Sequence, residues 1–238
     1  MAIGFFGLCA KTTLGQSPLV IGQTTCQVDT VATGLNVPWE ILVQGDYLWM
    51  TERHGLVSRV HRVTKAKTVV LDLSTVIYQQ SESGLLGMAL HPAFPLTPQV
   101  FVAYTYSSGS IKERIVRYEF DGQALINPVT ILDEITGNGT HNGCRMVFGP
   151  DTTLYLSTGD AQNLSTPHNL ASLNGKILRF NPDGSVPANN PWPGNPVYSR
   201  GHRNVQGMLR MPNDSILLSE HGASTDDEIQ WLRKGRNY

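Results

Sequence analysis

The chain has 238 residues, of which 18 are Lys or Arg and 19 are Asp or Glu, so its net charge of −1 argues against a nucleic acid as its main partner. Hydrophobic residues make up 40% and charged residues only 16%, whereas Gly and Pro number 23 and 14. Such a charge-poor, turn-rich composition predicts many strands joined by tight loops. The longest apolar run, Ile3 to Ala10, is far shorter than the roughly 20 residues of a membrane-spanning helix, which predicts no membrane span.

Residues 1–25 are interpreted as a signal-peptide remnant or as a disordered terminus. The run Ile3 to Ala10 has the length of a signal-peptide core, but no Lys or Arg precedes it. An ordinary first strand or a frayed terminus explains it equally well. Cys9, Cys26 and Cys144 are odd in number and lack CxxC spacing, so we expect neither a zinc site nor a dense disulfide framework. A disulfide between Cys26 and Cys144 is the alternative to two buried thiols, which we favour.

The remainder of the chain, residues 26–238, repeats one unit four times: an apolar strand, a turn, and a second strand that ends in small or acidic residues. The second strands are spaced 52, 54 and 62 residues apart, with anchors at Trp49, Phe101, Tyr155 and Leu217. About four strands per unit at a period near 50 is typical of a β-propeller, in which each unit is one blade. We predict an all-β, incomplete propeller of about four blades, and at residues 72–80 a single turn rather than a helix.

Three polar segments stand at corresponding ends of the predicted inner strands. Residues 140–151 contain His141, and a histidine can accept a proton near neutral pH. Residues 201–207, Gly-His-Arg-Asn-Val-Gln-Gly, concentrate hydrogen-bonding side chains that suit an anion or a carbonyl. Residues 220–228, Glu-His-Gly-Ala-Ser-Thr-Asp-Asp-Glu, offer the oxygen ligands that calcium prefers, without the spacing of an EF-hand. Each segment alone is compatible with an ordinary solvated loop, but in a propeller all three converge on the channel rim.

With further landmarks, these segments resemble the soluble, pyrroloquinoline quinone (PQQ)-dependent aldose (glucose/sorbosone) dehydrogenases, a family of six-bladed propellers. The resemblance begins at Leu35, and the further landmarks are residues 37–40, 51–55, 84–92 and 173–179. It corresponds to the N-terminal two thirds of the family's fold. The family's last blades supply basic residues that hold the cofactor's carboxylates, and this sequence has no counterpart of them.

The resemblance implies redox and substrate roles for five residues. His141 matches the base that takes the proton of the anomeric hydroxyl while a hydride passes to the quinone. Arg203 matches the residue that polarises the quinone carbonyl, and Asn204 is expected to hydrogen-bond the quinone oxygens beside it. Glu82 and Gln162 match positions that line the substrate pocket. These roles agree with the physics, because a fixed cation favours the negative charge that builds on oxygen during hydride transfer.

The resemblance also implies calcium. The carbonyls of Gly222 and Ala223 match the backbone ligands of the ion that bridges protein and cofactor, while Glu228 and the Tyr238 carbonyl resemble part of a second, structural site. Ala223 stands where the family often has Pro, which keeps a carbonyl ligand but loses rigidity. Cys144 stands where the family often has Gly, so a residue with a side chain must take over a flexible backbone position beside the base.

The predicted function is PQQ- and calcium-dependent oxidation of an aldose to its lactone, with an external electron acceptor. A calcium-dependent lactone hydrolase on a similar propeller explains His141 and the acidic segment, but not the adjacent Arg203 and Asn204. A non-catalytic propeller that binds a protein or a glycan is the third hypothesis, because fold alone does not fix function. The resemblance further implies a periplasmic or extracellular location and is compatible with a homodimer.

Overall fold

The computed structural model describes residues 18–238, which divide into two units. The first unit extends to Thr33 and contains a two-stranded hairpin of β1 (Leu19–Ile21) and β2 (Thr24–Cys26). Most of the predicted signal remnant, with Cys9, lies outside the described residues. No helix in the described part of the chain is long and apolar enough to span a membrane.

The second unit, Gly34–Tyr238, consists of four antiparallel sheets, each formed by consecutive strands. Blade 1 contains β3 (Pro38–Gln44), β4 (Tyr47–Glu52), β5 (Leu56–His61) and β6 (Lys67–Asp72). Blade 2 contains β7 (Leu85–Leu90), β8 (Gln99–Ser107), β9 (Ile111–Phe120) and β10 (Leu125–Thr136). Blade 3 contains β11 (Met146–Phe148), β12 (Leu154–Thr158), β13 (Lys176–Phe180) and β14 (Val197–Arg200). Blade 4 contains β15 (Val205–Arg210), β16 (Ile216–Glu220) and β17 (Glu228–Trp231).

The blades follow one another around an axis, with the first strand of each blade innermost. Strand β7 contacts β3 and β4 of blade 1 and β11 of blade 3, and β11 in turn contacts β15 of blade 4. Apolar side chains fill the space between neighbouring blades, for example Trp49 with Met88, Phe101 with Phe148, and Tyr155 with Val205. Burial of these sheet faces is the main driving force for the arrangement. The prediction of an all-β propeller with about four blades is confirmed.

Two smaller expectations concern residues 72–80 and the cysteines. The segment contains a turn and no helix, as predicted. Cys26 and Cys144 are both free, and Cys144 is buried in the packing between blades 2 and 3. The expectation of two buried thiols is wrong for Cys26, which is only half-buried because a two-stranded hairpin has little interior.

Candidate active site

The topology brings the three polar segments to one end of the propeller. The base loop (residues 138–145) leads into β11, and the arginine turn (residues 201–204) leads into β15. The acidic loop (residues 221–228) joins β16 to β17 at the same end, because Glu220 pairs with Val205 at the start of β15. The loops that carry Glu82 and Gln162 precede β7 and follow β12, which places them at this end as well.

The base loop holds an imidazole against a buried carboxylate. Nδ1 of His141 lies 2.8 Å from Oδ1 of Asp160, and the two side chains are 14% and 1% exposed. An ionised carboxylate only accepts hydrogen bonds, so we assign the imidazole proton to Nδ1, which leaves the lone pair on Nε2. The backbone N–H of His141 donates to Glu82 Oε2 at 3.2 Å. The loop therefore presents His141 as a proton acceptor in a fixed orientation.

Backbone geometry and the close approach of Gly159 also confine the base loop. His141 has a φ of +57° and Cys144 has a φ of +65°, both in the left-handed region that favours glycine. A Cβ atom on Gly159 would lie only 1.7 Å from the His141 carbonyl oxygen, so this close approach requires glycine. Cys144 therefore adopts the glycine-type backbone that was expected at its position. Its N–H donates to the Ser157 carbonyl at 2.7 Å.

The arginine turn is bonded to both of the other loops. Its Arg203 carbonyl accepts the N–H of Asp160 at 2.8 Å, and one guanidinium nitrogen donates to the His221 carbonyl at 3.2 Å. The side-chain oxygen of Asn204, which is a buried residue, accepts the N–H of Gly143 at 3.1 Å. The three segments predicted separately thus form one connected site.

Two cavities open at this site. The larger, of about 390 Å³, is lined by the arginine turn, the acidic loop and the last residue, including Arg203, Gly222, Ala223, Glu228 and Tyr238. A smaller one, of about 80 Å³, is lined by Glu82 together with residues that flank His141. The first has a size typical of small-molecule sites.

The lining of the larger cavity suits a calcium ion and an anionic cofactor. Its wall is rich in oxygen donors and contains one guanidinium, and it has no imidazole–thiolate set of the kind that zinc prefers. Among residues 18–238 no group of three or more His, Cys, Asp or Glu side chains forms a ready metal site. The donors therefore fit calcium held in part by backbone carbonyls, with the remaining ligands left to a bound molecule.

Gln162 and Glu82 both contact the base loop. The side chain of Gln162 is exposed and donates to Thr140 Oγ1, while its backbone N–H donates to Asp160 Oδ1 at 2.8 Å. Glu82 is exposed too and accepts the His141 N–H. The two predicted substrate residues thus lie beside the loop that carries His141.

Sequence reasoning missed Asp160, and it grouped Glu220 with the calcium-ligand segment rather than with the arginine turn that its carboxylate contacts. Asp160 orients His141, and the carboxylate of Glu220 contacts the arginine turn. Each is an acidic residue at or just beyond the end of a strand with buried positions, β12 and β16. An acid placed there costs free energy unless it is bonded, and this is the signal that would have singled them out.

The protein is an all-β propeller, and one end of it combines an oriented imidazole, an arginine and a loop of oxygen donors. These features define the class of propeller proteins that have a ligand-binding site at the channel rim. The sequence model described as glucose/sorbosone dehydrogenase matches residues 35–238, and the chain belongs to this family.

Similar proteins agree with this membership. The chain is 31% identical to quinoprotein glucose dehydrogenase B of Acinetobacter calcoaceticus, over 87% of this chain and 51% of that protein. It is 25% identical to the aldose sugar dehydrogenase YliI of Escherichia coli, over 97% of this chain and 64% of that protein. The PQQ-bound aldose sugar dehydrogenase of Streptomyces coelicolor superposes with a TM-score of 0.82 at 39% identity, covering 89% and 64% of the two chains. The chain thus spans between half and just under two thirds of the length of these relatives.

Proposed function

We propose that this chain carries the hydride-transfer site of a PQQ- and calcium-dependent aldose dehydrogenase, which oxidises the anomeric carbon of a sugar to give a lactone. The reaction removes a hydride from C1 and a proton from the C1 hydroxyl. When bound, PQQ supplies the carbon that accepts the hydride, and an external acceptor later takes the two electrons. The Acinetobacter relative is a quinoprotein glucose dehydrogenase and the Streptomyces structure is PQQ-bound, and these similarities support this choice of cofactor.

The pairing of His141 with Asp160 carries the proposal. Because the buried carboxylate holds the proton on Nδ1, Nε2 is available to accept the proton of the sugar hydroxyl. Asp160 also stabilises the positive charge that the imidazole then acquires. A solvated loop histidine would have no such buried partner.

The remaining predicted residues receive roles that match their positions. Arg203, which lines the larger cavity, would hold the quinone oxygens, where negative charge builds during the reaction. The predicted role of Asn204 beside it would require its buried amide to reach the same oxygens. Carbonyls of Gly222 and Ala223 would hold the bridging calcium, with Glu228 and the Tyr238 carbonyl at the same cavity wall for a second ion. Glu82 and Gln162 would bind sugar hydroxyls beside the loop that carries His141.

The test is dye-linked oxidation of several aldoses by the full-length protein supplied with calcium and PQQ. We expect sugar-dependent dye reduction that requires both additions, and a rise in melting temperature when PQQ is added. Lactone cleavage without dye reduction would instead favour the hydrolase hypothesis. No activity of either kind, together with no effect of PQQ on melting, would favour a binding propeller and overturn the proposal.

The cellular setting follows from the same proposal. An external electron acceptor and a periplasmic or extracellular location agree with the resemblance to the sugar dehydrogenases, as does a homodimer. Cell fractionation and the mass of the purified protein in solution test these two expectations separately from the catalytic assay.

A further inference from the structure

Glu220 stands at the end of β16, and its carboxylate is the most heavily bonded acid of the site. Oε1 accepts the backbone N–H groups of Arg203 and of Asn204, the latter at 3.1 Å. Oε2 accepts from Nδ1 of His202 and from Nε2 of Gln230, both at 3.0 Å. The side chain is only 8% exposed, so water contributes little to its solvation. Four protein donors therefore satisfy this carboxylate.

His202 extends the bonded chain away from the cavity. Its Nε2 lies 2.8 Å from Oγ of Ser199, and its ring packs against the ring of Tyr238 at a centroid distance of 4.5 Å. Ser199 and His202 have no exposed surface. The series Ser199, His202 and Glu220 has the residue types of a hydrolase triad, but a serine that no substrate can reach is not a nucleophile. Its geometry therefore points to support of the neighbouring turn.

The same carboxylate stands between the two groups assigned to ligand binding. It accepts the N–H of Arg203 and so holds the arginine turn. The next residue in the chain is His221, whose carbonyl accepts a hydrogen bond from the Arg203 guanidinium. Gly222 comes next and lines the larger cavity. A shift of the Glu220 side chain would thus move the cation and the carbonyl ligands together.

We propose that Glu220 is a positioning residue, which fixes the backbone of Arg203 and Asn204 and ties this turn to the carbonyl-bearing loop at Gly222. The identity of the ligand rests on the function proposed above, whereas the positioning itself belongs to the ligand-free chain. The benefit is preorganisation, because groups that are already in place lose less entropy when an anion binds.

The experiment uses the full chain and two readouts. Amide hydrogen exchange reports the Arg203 and Asn204 N–H bonds without any ligand, and titration with PQQ in calcium reports binding. In Glu220→Ala we expect exchange at both amides to be at least about 10-fold faster and the Kd for PQQ to rise at least about 10-fold. Glu220→Gln keeps one carbonyl oxygen that can accept both N–H groups, so we expect it to restore slow exchange and a Kd within about 3-fold of the wild type.

Ser199→Ala is the matched control, because it removes the far end of the bonded chain and leaves the carboxylate untouched. We expect it to lower the melting temperature without changing exchange at the two amides or the Kd for PQQ. If Glu220→Ala does not fold, Glu220→Asp takes its place, since the shorter side chain pulls the carboxylate back from both N–H groups. Unchanged exchange at Arg203 and Asn204 in the folded variant overturns the proposal. A wild type with slow exchange but no affinity for PQQ would overturn the proposed function and leave the positioning role standing.

Discussion

The base loop and the acidic loop both serve the same end of the propeller, but they are held in different ways. The side chain of His141 is 14% exposed, and its loop is bonded to Glu82, Asp160 and Asn204, which belong to three separate segments. The acidic loop is exposed from residue 223 to 229, and its side-chain bonds stay largely within the loop, such as that from the Gly222 N–H to Asp227. The ligand-free chain therefore fixes the position of His141, whereas the acidic loop has few side-chain bonds to the rest of the propeller.

The sharpest way to break this comparison is Gly159→Ala. A Cβ atom there would meet the His141 carbonyl oxygen at 1.7 Å and its carbon at 2.2 Å, and neither atom can move without disrupting the base loop. We expect a loss of about 4 kcal/mol in the free energy of unfolding, measured by urea denaturation. The control is Gly139→Ala in the base loop itself, where the atom nearest to the added Cβ would be 3.8 Å away. There we expect a change below about 1 kcal/mol in the free energy of unfolding. A mild effect of Gly159→Ala would mean that the base loop is not confined.

How far the sequence predicts the fold depends on which strands are buried. The inner and middle strands were predicted because their apolar residues alternate or run continuously, as in β12 (Leu154–Thr158), which is buried throughout. The outer strands β6 and β10 were missed. Most of their residues are exposed or only half-buried, and β10 is interrupted by register shifts, so their apolar residues do not alternate regularly with polar ones.

The site shows a similar division. His141, Arg203 and the acidic segment were found because glycines and polar residues concentrate there in short stretches. The pairs that orient them were not found, since Asp160 lies 19 residues from His141 and Glu220 lies 18 residues from His202. Only the pairing of strands brings such residues together, and no local pattern records it.

Asp160→Asn tests whether the buried carboxylate sets the orientation and tautomer of His141. An amide can donate to Nδ1 instead of accepting from it, which would move the proton to Nε2 and remove the base. If the proposed function holds, we expect kcat to fall about 100-fold, as in His141→Ala, with little change in the Kd for PQQ. The control His61→Ala removes an imidazole from blade 1 and should keep full activity. Equal turnover of Asp160→Asn and the wild type would rule out this role.

Lys176 is a buried amine whose protonation makes the stability of the fold depend on pH. Its side chain is fully buried beneath the Thr166 and Asn174 carbonyls, and burial lowers the pKa of its amine to about 8. Between pH 8 and the unfolded value of 10.5 the unfolded chain binds a proton that the folded chain does not, so stability rises with pH across this window. The destabilisation is complete below pH 8, where both states are protonated, and absent above pH 10.5.

We expect this contribution to be on the order of 2 kcal/mol, after allowance for screening by nearby water. The measurement is urea denaturation at pH 8 and pH 10 for the wild type and Lys176→Met, because groups common to both chains cancel in the difference. The free energy of unfolding of the wild type, relative to that of the variant, should increase from pH 8 to pH 10. A constant difference between the two chains would show that Lys176 keeps its ordinary pKa.

Gly222→Ala is expected to change stability least, although it creates a backbone clash of the same kind as Gly159→Ala. The added Cβ would lie 2.0 Å from the Thr225 carbonyl oxygen, a clash nearly as severe as the one at Gly159. Thr225 is exposed, however, so the acidic loop can yield, and we expect a loss below about 1 kcal/mol in the ligand-free chain. The same shift would misplace the Gly222 and Ala223 carbonyls, so calcium should raise the melting temperature of the variant less than that of the wild type. Ser224→Ala is the control in the same loop, and a destabilisation by Gly222→Ala as large as that of Gly159→Ala would show that both loops are equally confined before any ligand binds.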